Sequence, residues 1–468
     1  MTPATALAAA LQRGTTSAVA AVEASLARIE QLEPTLQAFV TVAGEQALER
    51  AHALDRHHGQ HGPVGPLHGM PVAIKDLTAT AGIRTTQGSR RFAGAVPTEN
   101  AACVQRLLDA GAIVIGKTNT PEFGFGAVCT NALRGPTVNP WNPTLTSGGS
   151  SGGSAVAVTT AMVPLAHGTD FGGSVRTPAS FCGCVGLRPT PGRIADPERA
   201  LAWNGLATHG VLARSVDDAA LMLAVMAGPH PDDPTSLGLA PISPSGTEPR
   251  HVRVAYSAAL GEAFRIDAEV HACFREAVDG VAAAFDQVEE AAPDVRGGEA
   301  AFKTLRAALG WHGNRALLAA GTDDLSPSFI WNVEAGRDVG IEAFLAAEQT
   351  RSRVFRQFQA FFQRFDLLVL PSASVLPFPN AQGEVDTVGG VACATIIDYL
   401  APTFLISLVG LPALSLPALV TADGRPFGLQ LVAPPFAEGR LLQAARWLER
   451  QAGFCHRPPP ELRSGDQG

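Results

Sequence analysis

Two hydroxyl-bearing glycine turns and one lysine are the residues with chemistry to offer. The first turn runs SGGSSGGS over 147–154; the second is Gly172-Gly173-Ser174. Serine is a weak nucleophile until a base within hydrogen-bond reach takes its proton. Lys75 closes a short apolar run, Met70 to Ile74, and burial there would disfavour its ammonium form. A Ser–Lys pair, with a second serine passing the proton, is an established variant of the triad logic. Ser147, Ser150, Ser151 and Ser154 are all candidates for that second serine, and spacing alone does not choose among them. Amides in a glycine turn can converge on one atom, as an oxyanion requires.

Each of these residues also has a plainer reading. GGSSGGS in isolation is a linker sequence, but here it lies inside an apolar, motif-dense region. A phosphate-cradling loop is excluded by the lack of a following lysine and hydroxyl at P-loop spacing. His167, near Ser174 in sequence, reads as a core or pocket-lining histidine. His52, His57, His58 and His61 read as the end of a helix and a solvated turn, with no cysteine at metal-ligand spacing. Cys182 and Cys184 have no second pair nearby and read as small buried residues.

The elements that must position these groups follow from periodicity. Ser17 to Leu32 has apolar residues at helical spacing, with a stop expected before Pro34. Further helices are expected over 45–56, 100–110, 215–226 (Ser215 as N-cap), 267–284, 341–365 and 437–451. Strands are expected over 70–74, 112–115, 251–256 and 367–370. A hairpin is expected around Asp423-Gly424. Strand and helix patterns alternate, which favours an α/β architecture with a largely parallel sheet. Residues 229–249 read as a long surface loop, and 300–340 as an irregular, variable pocket wall. No repeat or linker divides the chain, so a single domain over 1–468 is expected.

Composition narrows the class. The 468 residues are 46% hydrophobic and 17% charged, with 48 Gly and 35 Pro but no low-complexity run. The net charge of −8, without a basic stripe, argues against nucleic acid as a partner. Seven scattered cysteines in a long chain argue against a disulfide framework. The uncharged stretch 399–422 contains three prolines and reads as buried strands with turns, so no membrane association is expected. The first residues lack a basic n-region, and a cytoplasmic setting is expected.

Taken together, the motifs resemble the amidase signature family. They are GMPVAIKD at 69–76, GKTNTPEFG at 116–124, GPTVNPWN at 135–142, GGSSGGS at 148–154, GTDFGGSVRTP at 168–178 and FCGCVGLRPT at 181–190. GLPALSLP at 410–417 and FGLQLV at 427–432 follow. The resemblance spans most of the chain and is densest over about 65–195, with N-terminal helices over 1–64. It implies a mixed central β-sheet covered by helices on both faces. It also implies Ser174 as nucleophile, Ser150 as the bridging serine on a cis bond to Gly149, and Lys75 as base. The amides of Phe171, Gly172 and Gly173, with that of Ser174, would face the oxyanion. Ser151, Asp170 and Arg176 would support the loops. Phe123, Phe125, Val128 and the 300–340 region would line the acyl side. No metal or other cofactor is implied, and a homodimer is the family-level expectation.

The activity expected from this resemblance is hydrolysis of a small amide. The glutaminase component of a tRNA-dependent amidotransferase shares the core. It generally carries Asn where Ser407 stands and an acidic residue where Leu400 stands, with Asp398 out of register. A ureide or carbamate hydrolase, and a non-catalytic binding protein on the same fold, are the remaining alternatives.

Overall fold

The computed structural model describes residues 1–242 and 251–460; part of the expected 229–249 loop therefore lies outside the described residues. One sheet runs through the chain. In sequence order its strands are β1 (Phe39–Val42), β2 (Pro71–Lys75), β3 (Ile113–Thr118), β4 (Leu165–Asp170), β5 (Val185–Arg188), β6 (Thr208–Ala213), β7 (Arg253–Tyr256), β8 (Gln287–Glu290), β9 (Leu367–Pro371), β10 (Ala413–Val420) and β11 (Pro426–Val432). In space the order is β1-β3-β2-β4-β6-β5-β10-β11-β9-β7-β8. β2 is parallel to both β3 and β4, and β7 is parallel to both β8 and β9. The other pairings are antiparallel. The sheet is thus mixed, and the largely parallel sheet expected from alternation is corrected. The order of elements along a chain does not reveal which strands become neighbours.

The strands beneath the site read as continuous apolar runs because helices cover both of their faces. β2 is buried along its whole length, and so are β3, β5 and β6. The helices Val216–Met226, Ala268–Ala284 and Glu438–Gln451 contribute to the core on one side, the first packing on β5 and β6 and the other two on β10 and β11. On the other side Phe302, Phe358, Phe404 and Tyr399 form a second core. Among the described residues no helix is long and apolar enough to cross a membrane.

Four expectations about elements change, the last of them over 300–340. The helix expected from Ser17 runs over Ala18–Leu36 and passes through Pro34. Proline falls there in the last turn, and the Glu33 carboxylate accepts the amides of Ala38 and Phe39, both at 3.0 Å. The histidine stretch belongs to the helix Gly44–His61 and not to a turn. The uncharged stretch after Tyr399 is a buried helix, Ala401–Leu408, followed by β10. Ser215 does cap its helix, accepting from the Asp218 amide at 3.1 Å.

Residues 300–340, expected to be irregular, form two packed helices. With three other helices around the site, these are labelled α1 (Gly152–Thr159), α2 (Arg176–Cys182), α3 (Gly298–Ala319), α4 (Pro327–Glu334) and α5 (Ala401–Leu408). Glycines at 310 and 313 obscured the periodicity of α3. Its apolar stripe is nonetheless regular: Ala301, Phe302, Leu305 and Gly310 are buried.

Candidate active site

Lys75 ends β2, and the β2–β4 register, with Ala73 opposite Ala166, carries it alongside the C-terminal end of β4. Sites in such sheets form beyond the carboxyl ends of parallel strands. Lys75 is fully buried. Its Nζ donates to Ser150 Oγ at 2.6 Å and to Thr169 Oγ1 at 2.9 Å. Burial pushes it down to about 7, against weaker upward pulls from Cys129 and Asp170. A second buried lysine, Lys117, is engaged by Thr78 O, Thr80 and Thr85 and does not reach either serine turn.

In the first turn, one of the four candidate serines meets Lys75. Ser150 alone bonds Lys75, and the Gly149–Ser150 peptide is cis, as the resemblance implied. Ser147 Oγ donates to Thr137 O at 2.9 Å, and Ser154 Oγ to His167 O at 2.8 Å, so both are structural. Ser151 Oγ donates to Thr169 O at 3.3 Å, while its amide donates to Ser174 O at 3.0 Å. Those two bonds tie the serine turns together.

The second turn folds around Asp170. This buried carboxylate accepts the amides of Gly173 at 2.9 Å and Val175 at 3.1 Å. Arg176 grips it with Nε at 3.0 Å and Nη2 at 2.8 Å. Arg188 adds a further contact at 3.3 Å and also donates to the Asp170 carbonyl. Burial alone would raise the Asp170 carboxyl, but the two guanidinium groups outweigh it and hold it well below the usual carboxylate range. Arg176 continues to Thr403 O, Gln430 Oε1 and Ser407 Oγ, at 2.9, 2.6 and 2.6 Å. The turn is thereby bolted to α5 and β11, more than 220 residues away in sequence.

Gly173 has φ +130°, and a Cβ there would lie 2.2 Å from Thr403 Oγ1. Only glycine suits that backbone and that contact. Its amide, expected among the oxyanion donors, is taken by Asp170, the strongest acceptor within reach. The amides of Phe171, Gly172 and Ser174 have no acceptor among the described residues.

Ser150 and Ser174 line one cavity of about 250 Å³, the scale of a small organic molecule. Phe123 and Phe125 line it, as expected. Val128 does not. Ala127 O is held by the Tyr399 hydroxyl at 2.8 Å, and Val128 turns into the core, 4% exposed. From 300–340, only the part around Phe302, Arg306, Leu309 and Gly310 reaches the cavity. Phe302 stacks on Phe404, with centroids 4.6 Å apart and planes at 7°, and meets Phe171 edge-on at 5.8 Å. Phe329 of α4 backs Phe123 at 4.6 Å and Phe125 at 5.5 Å.

Sequence reasoning passed over Thr169, Arg188, Thr403 and Arg306. The first two lie inside quoted motifs, beside residues that drew more attention. Thr403 and Arg306 carry no local signal. His167 is buried, and its Nε2 meets His209 Nδ1 at 2.9 Å. Donor atoms of Cys103, His167 and His209 lie within 4.8 Å of one another, as do those of Asp196, Glu198 and His209. These are the described residues with a metal-type donor arrangement, and none of them lines the cavity.

A family model described as Amidase matches residues 20–442. The chain is 34% identical to an acylamidase of Rhodococcus erythropolis, over 94% of this chain and 93% of that protein. It is also 34% identical to the A subunit of the glutamyl-tRNA(Gln) amidotransferase of Synechococcus sp. (strain RCC307), over 97% and 98%. Among solved structures, a bacterial aryl acylamidase of the amidase signature enzymes superposes with a TM-score of 0.90. That match has 28% identity and covers 96% of each chain. A 6-aminohexanoate cyclic dimer hydrolase with its substrate superposes with a TM-score of 0.87 at 30% identity, over 98% and 99%.

Proposed function

The chain belongs to the amidase signature family, and from that premise we propose that it is a serine amidohydrolase. It cleaves the C–N bond of a small carboxylic amide through an acyl-enzyme on Ser174. The observation that carries this reading is the buried Lys75 amine, 2.6 Å from Ser150 Oγ at a cavity that Ser150 shares with Ser174.

In the proposed reaction, Lys75 acts as a neutral amine. It takes the Ser150 proton as Ser150 takes that of Ser174. Ser174 Oγ attacks the carbonyl carbon, and the amides of Phe171, Gly172 and Ser174 face the oxygen as it gains charge. The relayed proton returns to the leaving nitrogen, the C–N bond breaks, and an ester to Ser174 remains. Water then attacks the ester with the same relay as base, releasing the acid.

Intact-mass measurement after a fluorophosphonate tests the reading. One adduct on the wild-type chain is expected, none on Ser174→Ala, and amide hydrolysis is lost with it. Near-normal hydrolysis by Ser174→Ala would sink the assignment. Absence of any adduct on the wild type would favour the non-catalytic alternative.

The glutaminase reading has support from the amidotransferase relative. Against it, no acidic side chain lines the cavity: Leu400 lines it, while Asp398 turns to Lys303 at 2.7 Å. The ammonium of glutamine would lack a counter-charge. Ammonia release from glutamine, measured beside aliphatic, aryl and ureide substrates, separates these readings. Glutamine is expected to be the poorest.

A further inference from the structure

Away from the hydroxyls of Ser150, Thr169 and Ser174, the cavity wall is aromatic and aliphatic except for one charged group, Arg306. Arg306 lies four residues after Phe302 on α3, so the two side chains share a helix face. Its Nη2 donates to Asn332 Oδ1 at 2.6 Å. Asn332 is fully buried and its own amide donates to Ser328 O at 2.7 Å, which sets the orientation of that acceptor. The guanidinium also lies over the Phe125 ring, 5.5 Å from its centroid. It is therefore fixed in direction by two elements that have no part in the serine turns.

A guanidinium carries five N–H donors. Asn332 accounts for one, and among the described residues no acidic side chain offsets the charge. Lys303, one turn earlier on α3, is the contrast: it is paired with Glu299 at 2.6 Å and Asp398 at 2.7 Å. Burial pulls Arg306 down to about 10, so it remains a cation at neutral pH. A positioned cation in an apolar wall is costly unless something entering the cavity supplies the opposite charge. A planar carboxylate matches the fork of a guanidinium and can take two of its donors at once.

We propose that Arg306, oriented by Asn332 and Phe125, forms a carboxylate subsite in the cavity, so that the preferred amides carry a carboxylate besides the scissile bond. This rests on the hydrolase reading above. The remainder of such a molecule is apolar or aromatic, because Phe123, Phe302 and Leu309 surround it.

The test uses two matched pairs of amides and one binding measurement. Glutaranilate against butyranilide places the carboxylate on the acyl side. 4-Acetamidobenzoate against acetanilide places it on the amine side. For the wild type, one anionic member is expected to exceed its neutral twin in kcat/KM by about ten- to a hundredfold, the scale of a charge-assisted hydrogen bond. Arg306→Met should abolish that preference, bringing the anionic member's kcat/KM down to that of its neutral twin, and Arg306→Lys should restore part of it. Equal rates on both members of each pair, or an undiminished preference in Arg306→Met, would overturn the subsite. Independently, benzoate should raise the Tm of the wild type and leave Arg306→Met unmoved; an equal response from both also overturns it. If no amide is cleaved while benzoate still binds through Arg306, the subsite stands and the hydrolase reading falls.

Discussion

The Gly173 amide donates to Asp170 Oδ1 at 2.9 Å, three residues back along its own turn. That bond makes the carboxylate a template for the backbone around Ser174, and Arg176 and Arg188 keep the template charged. Asp170→Asn removes the charge from a group that two fully buried guanidiniums face. Breaking a buried charge network in this way costs about 3–5 kcal/mol. Urea denaturation should show a loss of that order, and hydrolysis should fall even in the fraction that remains folded. Unchanged stability would mean the two arginines are balanced elsewhere.

In the proposed reaction Lys75 sets the pH dependence. With its amine near 7, the ammonium form dominates below that pH and the base is absent. kcat/KM is expected to rise through pH 7 with unit slope, standing about a hundredfold lower at pH 5 than on the plateau. Lys75→Met should lose most activity and the pH-dependent limb with it.

The same lysine acts on stability with a definite sign. Its ordinary value is 10.5 and the folded chain lowers it to about 7. Between those values the unfolded chain holds a proton that the folded chain has released, so its contribution to stability rises with pH. Lys75→Met should therefore gain stability relative to wild type near pH 7, on the order of a few kcal/mol. The gain should shrink towards pH 10. Urea denaturation at the two pH values checks this; a gain that grows with pH contradicts the assignment.

Thr169 holds Lys75 Nζ through its hydroxyl at 2.9 Å. Thr169→Val keeps the shape and removes the acceptor. A loss of roughly three- to tenfold in kcat with KM nearly unchanged is expected, the value of one hydrogen bond. A change confined to KM would place Thr169 in substrate binding instead.

Val128 and Phe125 should separate cleanly. Val128→Ala should cost about 1–3 kcal/mol of stability and leave KM unaltered, because the side chain is in the core. Phe125→Ala should shift KM, since its ring lines the cavity. Steady-state kinetics and thermal melts on both variants provide the comparison.

Much of the site was legible before the fold. Buried strands announced themselves as MPVAI and AIVI, and a lysine at the end of one pointed to a depressed amine. Asp170, Ser174 and Arg176 sit inside one motif and were named from it, although the bonds from the Gly173 and Val175 amides to Asp170 were not. The errors arose where burial is decided at a distance. Val128 follows two cavity-lining aromatics but packs into the core, beside Ala127, whose carbonyl accepts from the Tyr399 hydroxyl. α3 was hidden because its internal glycines break the pattern that a single stretch of sequence can display, and α4 because it spans only eight residues.

Read alone, the chain sets out the chemistry on offer: two glycine-flanked serines, a lysine on an apolar strand, and a family whose motifs assign them roles. That information is local, since nucleophile, turn and strand end are each written in fewer than a dozen residues. The folded chain was needed to show which serine Lys75 meets, that Gly173 gives its amide to Asp170, and that Arg306 arrives in the cavity without a counter-charge. These depend on long-range packing of β2 on β4 and α3 on α5, where contact is set by how apolar faces close over one another and not by spacing along the chain.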